Sequence, residues 1–431
     1  MKGPDDRAAQ PQPRIAIFTH DTFGLGHVRR CSHIIRSVAA QAPHAAILLI
    51  TGSPALHSLE TLPPNADYIK IPTIAKTGSK GHQPPHLPLP VQEITLLRRE
   101  MIREAVIAFA PDVLLVDNFP LGSQSELLPT LKELRRLPCR AILGLRDILD
   151  DPQKVQKEWT RQGMYEVLDR YYDRILVYGA RDVFPVEEAY ALPPRIAAKL
   201  HYCGYITAAT TPARSVEEVR KDLGGLGPFL LATGGGGGDA YPLLKTFLEA
   251  LPLVPSMPAL VVTGPLMSPS HHARLQALAD RRPHVVVREL EQDLPSCLAA
   301  AEVVVSMCGY NIAAEITALR ARAIVVPRTW RYGEHQSRSH APQETEEWEQ
   351  LLRARALSKR GYLEHIEPEA LTPAHLAERI AGVLARPRTE PRDSVDLRGL
   401  EHVTQHILGL ASPAAAASKP SEGREEARGG R

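Results

Sequence analysis

The chain predicts an α/β protein of two Rossmann-like domains, with parallel sheets facing across a cleft. Three observations predict it. Short apolar runs of strand length recur, each separated from the next by a helical pattern, and that alternation belongs to parallel sheets with helices on both faces. The alternation comes in two series, broken at YITAATTPARS around Gly204–Ser215. Polar and glycine clusters fall where strands of both series end, which is where open parallel sheets collect ligands.

The elements follow in order. Residues 1–13 are polar and proline-rich and are expected to be disordered. Arg14–Thr19 (RIAIFT) is a buried strand, HDTFGLGH is a glycine turn, and a helix runs from about Val28 to Ala40. Ala46–Thr51 and Tyr68–Ile71 are the next strands. Pro72–Pro90 contains KTGSKGHQPPHLPLP and is expected to be irregular. Loops of that length in compact domains are usually functional or disordered. Val91–Ala110 is a helix with its apolar stripe at Ile94, Leu97, Met101, Ala105 and Ala108, which leaves Arg98, Arg99 and Arg103 on a solvated face. Asp112–Val116, Ala141–Leu145 and Ile175–Tyr178 are further strands, the first two ending in Asp117-Asn118 and Arg146-Asp147. The first domain is thus expected over 14–205, with a linker over 206–215. The second, 216–411, carries strands at Phe229–Ala232, Ala259–Thr263, Val285–Val287, Val303–Ser306 and Ala323–Val326. Residues 412–431 are low-complexity and expected to be disordered.

Composition narrows the class. A chain of 431 residues exceeds one ordinary core. Its 44% hydrophobic and 23% charged residues are those of a soluble globular protein. With 51 basic against 49 acidic residues, there is no electrostatic footprint for nucleic acid. The five cysteines are scattered, odd in number and without a CxxC pair, which argues for a reducing compartment and against a disulfide framework or structural zinc. The N-terminus lacks the apolar stretch of a signal peptide, and no run approaches the roughly 20 apolar residues of a spanning helix. The expectation is a cytoplasmic protein. Arg98, Arg99 and Arg103, with Lys76, Lys80, His82 and His86, leave peripheral membrane contact open.

Met307–Gln336 carries the most chemistry. Cys308-Gly309-Tyr310 makes a tight turn after the Val303–Ser306 strand, and Asn311 suits an N-cap. Ile312, Ile316 and Leu319 form the helix stripe, and Glu315 lies within it. A carboxylate facing inward is costly unless something binds it. Helical side chains lean toward the N-terminus, so Glu315 points back at the loop. An anion site at a helix start with a hydroxyl acceptor beside it suits a diphosphate and a ribose diol. Thr233–Asp239 (TGGGGGD) ends a strand and offers amides without side chains; no Gly-Lys-Ser/Thr follows, so it is not a Walker loop. Gly24-Leu25-Gly26-His27 lies between the first strand and its helix. It is no nicotinamide fingerprint, because position 29 is Arg and the second strand ends in Thr51. Asp117 can orient a histidine, act as a base itself, or merely cap the next loop. Arg146-Asp147 could bind an acidic acceptor or form a structural ion pair, the second reading being preferred, and Leu290–Leu294 (LEQDL) carries little side-chain signal.

The same residues carry a resemblance. CGYN, Glu315 four after the Asn, Pro327, and Glu334 with Gln336 resemble the donor-binding box of GT-B glycosyltransferases. The box is similar to that of plant UDP-glycosyltransferases and of the bacterial cell-wall N-acetylglucosaminyltransferase family, which also has a TGG turn. It departs from the plant box at Met307, where that box opens with His, at Tyr310, where it has Trp, and in a longer gap from Glu315 to Gln336. GLGHVRRC resembles the GxGHVxRC turn of bacterial nucleotide-sugar hydrolases that share the fold, and DNFPLG and LRDILDDP resemble an uncharacterised bacterial branch of the transferases. The resemblance implies metal-independent, inverting transfer of a sugar from a nucleotide-diphosphate sugar, UDP-linked, with no cofactor beyond that co-substrate. The acceptor is left open among a glycan, a lipid-linked compound and a small molecule. Gly24, Gly26, Thr233, Gly234, Gly235, Gly236, Gly309, Tyr310 and Asn311 would border the donor. Glu315 would hold the ribose, and Glu334 and Gln336 the sugar. His27 would be the base, with Asp117 as its alternate. A nucleotide-sugar hydrolase, a 2-epimerase and a non-catalytic partner subunit remain as alternatives.

Overall fold

A computed structural model describes residues 12–20, 26–54, 61–76, 82–207, 211–225, 227–328, 348–387 and 394–412. The first sheet has seven parallel strands: β1 (Arg14–Thr19), β2 (Ala46–Thr51), β3 (Ala66–Lys70), β6 (Val113–Asp117), β7 (Arg140–Arg146), β8 (Arg174–Tyr178) and β9 (Leu200–Tyr202). Between β3 and β6, Ala75–Lys76 (β4) and His82–Gln83 (β5) form a separate antiparallel pair. The first sheet runs β3-β2-β1-β6-β7-β8-β9. The second has six parallel strands: β10 (Leu230–Thr233), β11 (Ala259–Val262), β12 (Val285–Arg288), β13 (Val303–Ser306), β14 (Ala323–Val325) and β15 (Glu364–His365), in the order β12-β11-β10-β13-β14-β15.

Central strands β1, β6, β10 and β13 are buried almost end to end, which is why they read as continuous apolar runs. In both sheets the winding reverses beside the first strand, between β1 and β6 and between β10 and β13. Such reversals open a crevice at the strand C-termini. Thr19 pairs with Asp117 at one, and Thr233 with Ser306 at the other.

Five helices position the site: α1 (Gly26–Gln41), α2 (Val91–Phe109), α3 (Tyr310–Leu319), α4 (Glu349–Lys359) and α5 (Gly399–Leu410). One apolar cluster runs from Ile34 and Val38 of α1 through Cys203, Tyr205 and Ile206 to Tyr310 and Ile312 of α3. The last helix, α5, which the sequence reading assigns to the second domain, packs on α1. There the Thr404 hydroxyl donates to Ser37 Oγ at 2.7 Å, and His402 Nδ1 lies 2.8 Å from the Cys203 carbonyl. Among the described residues, no helix is long and apolar enough to cross a membrane.

Three expectations are corrected. The buried stripe of α2 is Ile94, Arg98, Ile102 and Val106, whereas Leu97 is exposed. Arg98 is not on a solvated face: it is fully buried, with Nη2 2.6 Å from Glu126 Oε1 and Nη1 donating to the Pro72 carbonyl at 2.6 Å. A distant carboxylate neutralises the guanidinium, so this helix turns a cation inward, although the buried Nε has no hydrogen-bond partner among the described residues. Pro72–Pro90, expected to be irregular, contributes the β4–β5 pair. Arg146 and Asp147 serve α4 rather than each other. Arg146 Nη1 donates to Glu349 at 2.8 Å, and Arg353 lies 3.4 Å from Asp147 and 3.0 Å from Glu349. Residues 1–11 and 413–431 lie outside the described residues.

Candidate active site

α1 starts directly after the loop that follows β1, so His27 sits on its first turn, and β6 ends abreast at Asp117. His27 Nδ1 lies 2.5 Å from Asp117 Oδ2. Arg30, one turn on from His27, reaches the same carboxylate: Nε and Nη2 donate to Oδ1 at 3.1 and 3.0 Å, and Nη2 donates to Oδ2 at 2.7 Å. Burial pushes the Asp117 carboxyl up, but Arg30 and His27 outweigh it and hold it far below the usual carboxylate range. Burial lowers His27, Asp117 partly offsets this, and Arg30 lowers it further, with a net downward shift. At neutral pH the pair is therefore an ionised Asp117 and a neutral His27. The proton between them belongs on Nδ1, which leaves Nε2 as the basic nitrogen.

His20, just past β1, packs edge-on against His27 with ring centroids 4.8 Å apart, and against Phe119 at 4.1 Å. Its burial keeps it neutral, well below the ordinary histidine range. A cavity of about 270 Å³, lined by Lys70, Pro72, Thr73, His86, Leu87 and Met101, opens where β3 ends.

The second domain brings α3 to the same place. Its N-cap is Gly309 rather than Asn311, and no side chain caps it. Asn311 lies inside the first turn, and its amide instead donates to the Gly26 carbonyl at 3.2 Å, joining the starts of α3 and α1. Two guanidinium groups lie over the Tyr310 ring, Arg30 at 5.4 Å and Arg353 at 5.6 Å from its centroid, and its hydroxyl accepts from the Ile206 amide at 3.0 Å. With its ring so engaged, Tyr310 can offer a ligand only its backbone. Glu315 is 4% exposed, as its place in the stripe predicts. Burial pushes its carboxyl up, and Arg29 offsets this only in part. The carboxylate has no hydrogen-bond partner among the described residues, so a buried acceptor is left for a ligand.

Thr233 and Gly234 are buried where β10 ends, and Gly235 is exposed. Part of the glycine run answers to packing rather than to a ligand. Gly237 has φ 90°, and a Cβ there would lie 2.1 Å from the Thr263 carbonyl oxygen. Gly264, on the facing turn, has φ 88°, and its Cβ would meet the Gly235 carbonyl at 2.4 Å. A Cβ at Gly235 would meet nothing within 4 Å, which leaves that stretch of backbone open to a ligand. Asp239 pairs with Arg328 at the end of β14. Within LEQDL, Glu291 and Asp293 are taken up by Arg214, and Glu291 also by Arg288.

The structure thus brings His27, Asp117 and Gly26 together with Asn311 and the start of α3. Thr233, Gly234, Gly235 and Gly236 end the strand adjoining β13. Gly24, Glu334 and Gln336 lie outside the described residues. Sequence reasoning missed Arg30, whose three-residue spacing from His27 was the available signal. It also missed His20 and Gln350, whose side-chain oxygen accepts from the amides of Cys308 at 3.2 Å and Arg328 at 3.1 Å. Among the described residues, no group of three or more His, Cys, Asp or Glu is placed to hold a metal ion.

No family model matches the sequence. It is 29% identical over 159 residues to the UDP-N-acetylglucosamine--N-acetylmuramyl-(pentapeptide) pyrophosphoryl-undecaprenol N-acetylglucosamine transferase of Exiguobacterium sp., covering 36% of this chain and 39% of that one. It is 28% identical over 217 residues to the enzyme of the same name from Halalkalibacterium halodurans, covering 48% and 56%. The chain thus spans about half or less of the length of these relatives. Among solved structures, Acinetobacter baumannii MurG superposes with TM-score 0.54 at 13% identity over 93% of this chain and all of that one. The calicheamicin glycosyltransferase CalG4 gives 0.53 at 14% over 95% and 97%. A putative UDP-N-acetylglucosamine 2-epimerase from Listeria monocytogenes gives 0.58 at 13% over 93% and 96%. The chain has the GT-B fold expected of it.

Proposed function

We propose that this GT-B protein is a glycosyltransferase that moves a sugar from a nucleotide-diphosphate sugar, UDP-linked, to an acceptor hydroxyl, with inversion and without a metal. One observation carries the reading. His27, bound to Asp117 at 2.5 Å, stands against the start of a helix whose buried Glu315 carboxylate has no hydrogen-bond partner among the described residues, and Asn311 joins the two halves at Gly26. Residues 14–205 would supply the acceptor side and 216–411 the donor side.

The chemistry assigns roles. Glu315 accepts hydrogen bonds from the ribose hydroxyls. Backbone amides at Gly234–Gly238 and Gly309–Asn311, with the helix dipole of α3, stabilise the departing diphosphate. Glu334 and Gln336 hold sugar hydroxyls, and Gly24 and Gly26 border the donor. His27 Nε2 takes the acceptor proton as the hydroxyl attacks, and Asp117 stabilises the imidazolium that forms. The acceptor is a hydroxyl compound: a glycan, a lipid-linked compound or a small molecule. All five cysteines are buried and none is in a disulfide, in keeping with a cytoplasmic protein.

A hydrolase is the second reading, favoured by one observation: the Arg of the GHVxRC turn, Arg30, is bound to the Asp117 carboxylate beside the base. There His27 would activate water. Calorimetric titration with UDP, dTDP and GDP, metal-free, tests the donor site on the native chain and on Glu315→Ala. Tight binding of one nucleotide, much weakened by the substitution, is expected; no binding of any of them refutes the donor site. UDP released from UDP-sugar without an acceptor, at the full rate, selects the hydrolase. His27→Ala should bind nucleotide and lose turnover in either case.

A further inference from the structure

We propose that Arg30 is a positioning residue for the base: by gripping both oxygens of Asp117 it fixes the carboxylate as the acceptor of the His27 Nδ1–H and leaves Nε2 without a proton. The inference rests on the reading of His27 as the base.

Three observations carry it. The grip is a fork, with Nε and Nη2 on one oxygen and Nη2 also on the other, and such bidentate pairs fix orientation as well as charge. The pair is inside the protein, with Arg30 2% exposed and Asp117 fully buried, so solvent does little to screen it. Arg30 is itself braced, its guanidinium 5.4 Å from the rings of both Tyr178 and Tyr310. Tyr178 belongs to β8 of the first domain and Tyr310 to α3 of the second. The geometry of the base therefore depends on a contact made by the donor-side helix.

Titratable and charged groups act on His27 from four elements. Asp117 approaches from β6, Arg30 from α1, His20 from the end of β1 and Arg146 from β7. Arg30 Nη2 is also 2.9 Å from His27 Nδ1, close enough to oppose a positive ring directly. Without Arg30, the charge of Asp117 would fall on His27 alone, and the ring would keep a second proton at higher pH. A base holding that proton cannot accept another.

Long-range proton–nitrogen NMR of the His27 ring tests this in the full chain, with no donor or acceptor present. Failure of the transferase reading would therefore leave the result intact. The native ring is expected as the Nδ1–H form, neutral at pH 7. In Arg30→Met the midpoint of its titration should rise by about one unit, tenfold in proton affinity. An unmoved midpoint overturns the proposal. Asp117→Asn is nearly isosteric and covers the case in which Arg30→Met does not fold. If Arg30 positions this side chain, it keeps the amide oxygen and turns the NH2 toward His27, so the ring switches to Nε2–H. Retention of Nδ1–H would mean that the side chain rotates freely and that Arg30 positions nothing.

Discussion

Glu315→Gln should stabilise the free protein and weaken nucleotide binding, two effects of opposite sign from one atom. In the free protein the carboxylate is 4% exposed and has no hydrogen-bond partner among the described residues, and Arg29 offsets its burial only in part. Leaving a buried polar group unsatisfied costs about 1–3 kcal/mol, and more when it is charged. Burial raises the Glu315 carboxyl in the folded state, so the group contributes stability below the unfolded carboxyl range and loses it as pH rises through the folded value. Glutamine removes the charge and that loss. The variant should therefore gain stability at pH 7, where Glu315 would be charged, and the gain should vanish as pH falls below the unfolded carboxyl range. In the complex, two hydrogen bonds from a ribose diol to a charged acceptor become bonds to a neutral one. A loss of about 1–2 kcal/mol each weakens UDP binding by about thirty- to several-hundred-fold. Urea unfolding at pH 4 and pH 7, with calorimetric titration of UDP, reads both quantities. A variant that is less stable at pH 7 and binds UDP unchanged would refute the assignment of Glu315 as a ligand-directed acceptor.

Turnover should hold level as pH falls through the ordinary histidine range and drop only below it, because His27 is shifted downward by burial and by Arg30; a fall centred at or above pH 6.5 in initial rates would contradict this. Arg353→Met should cost about 3–5 kcal/mol in urea unfolding, because it leaves fully buried Asp147 without its cation at the contact between the two domains, whereas Glu349 keeps Arg146. Gly237→Ala should reduce folded yield and nucleotide binding together, since its Cβ would meet the Thr263 carbonyl at 2.1 Å; Gly235→Ala, with open space around it, should cost only the roughly 1–2 kcal/mol of its left-handed backbone. Thermal unfolding and UDP titration of the two variants distinguish them.

Where a feature was legible in the sequence, it depended on neighbours a few residues away. The inward turn of Glu315 follows from its spacing to Ile312 and Leu319. The histidine at the start of α1 follows from a glycine turn placed between a strand and a helix. Where the reading failed, two periodic patterns were equally available or the deciding partner was distant. The α2 stripe through Leu97 and Met101 is as helical as the observed one through Arg98 and Ile102. Glu126, 28 residues on, and the Pro72 carbonyl make the second acceptable. Asn311 looks like a cap because short polar residues before helices usually are; here Gly26, 285 residues earlier in the chain, takes its amide instead.

By itself, the sequence determined the two series of parallel strands, the strand ends at which polar residues collect, and the buried acid of the α3 stripe. Each is a consequence of hydrophobic period and local turn chemistry, which act over a turn or a strand. Only the tertiary structure decided that Arg30 grips Asp117 across 87 residues, that Arg146 and Asp147 belong to α4, and that α5 returns to pack on α1. Those pairings depend on which buried charges and surfaces meet once both sheets have formed. Buried charge must find a partner, and local sequence carries no record of which one it will be.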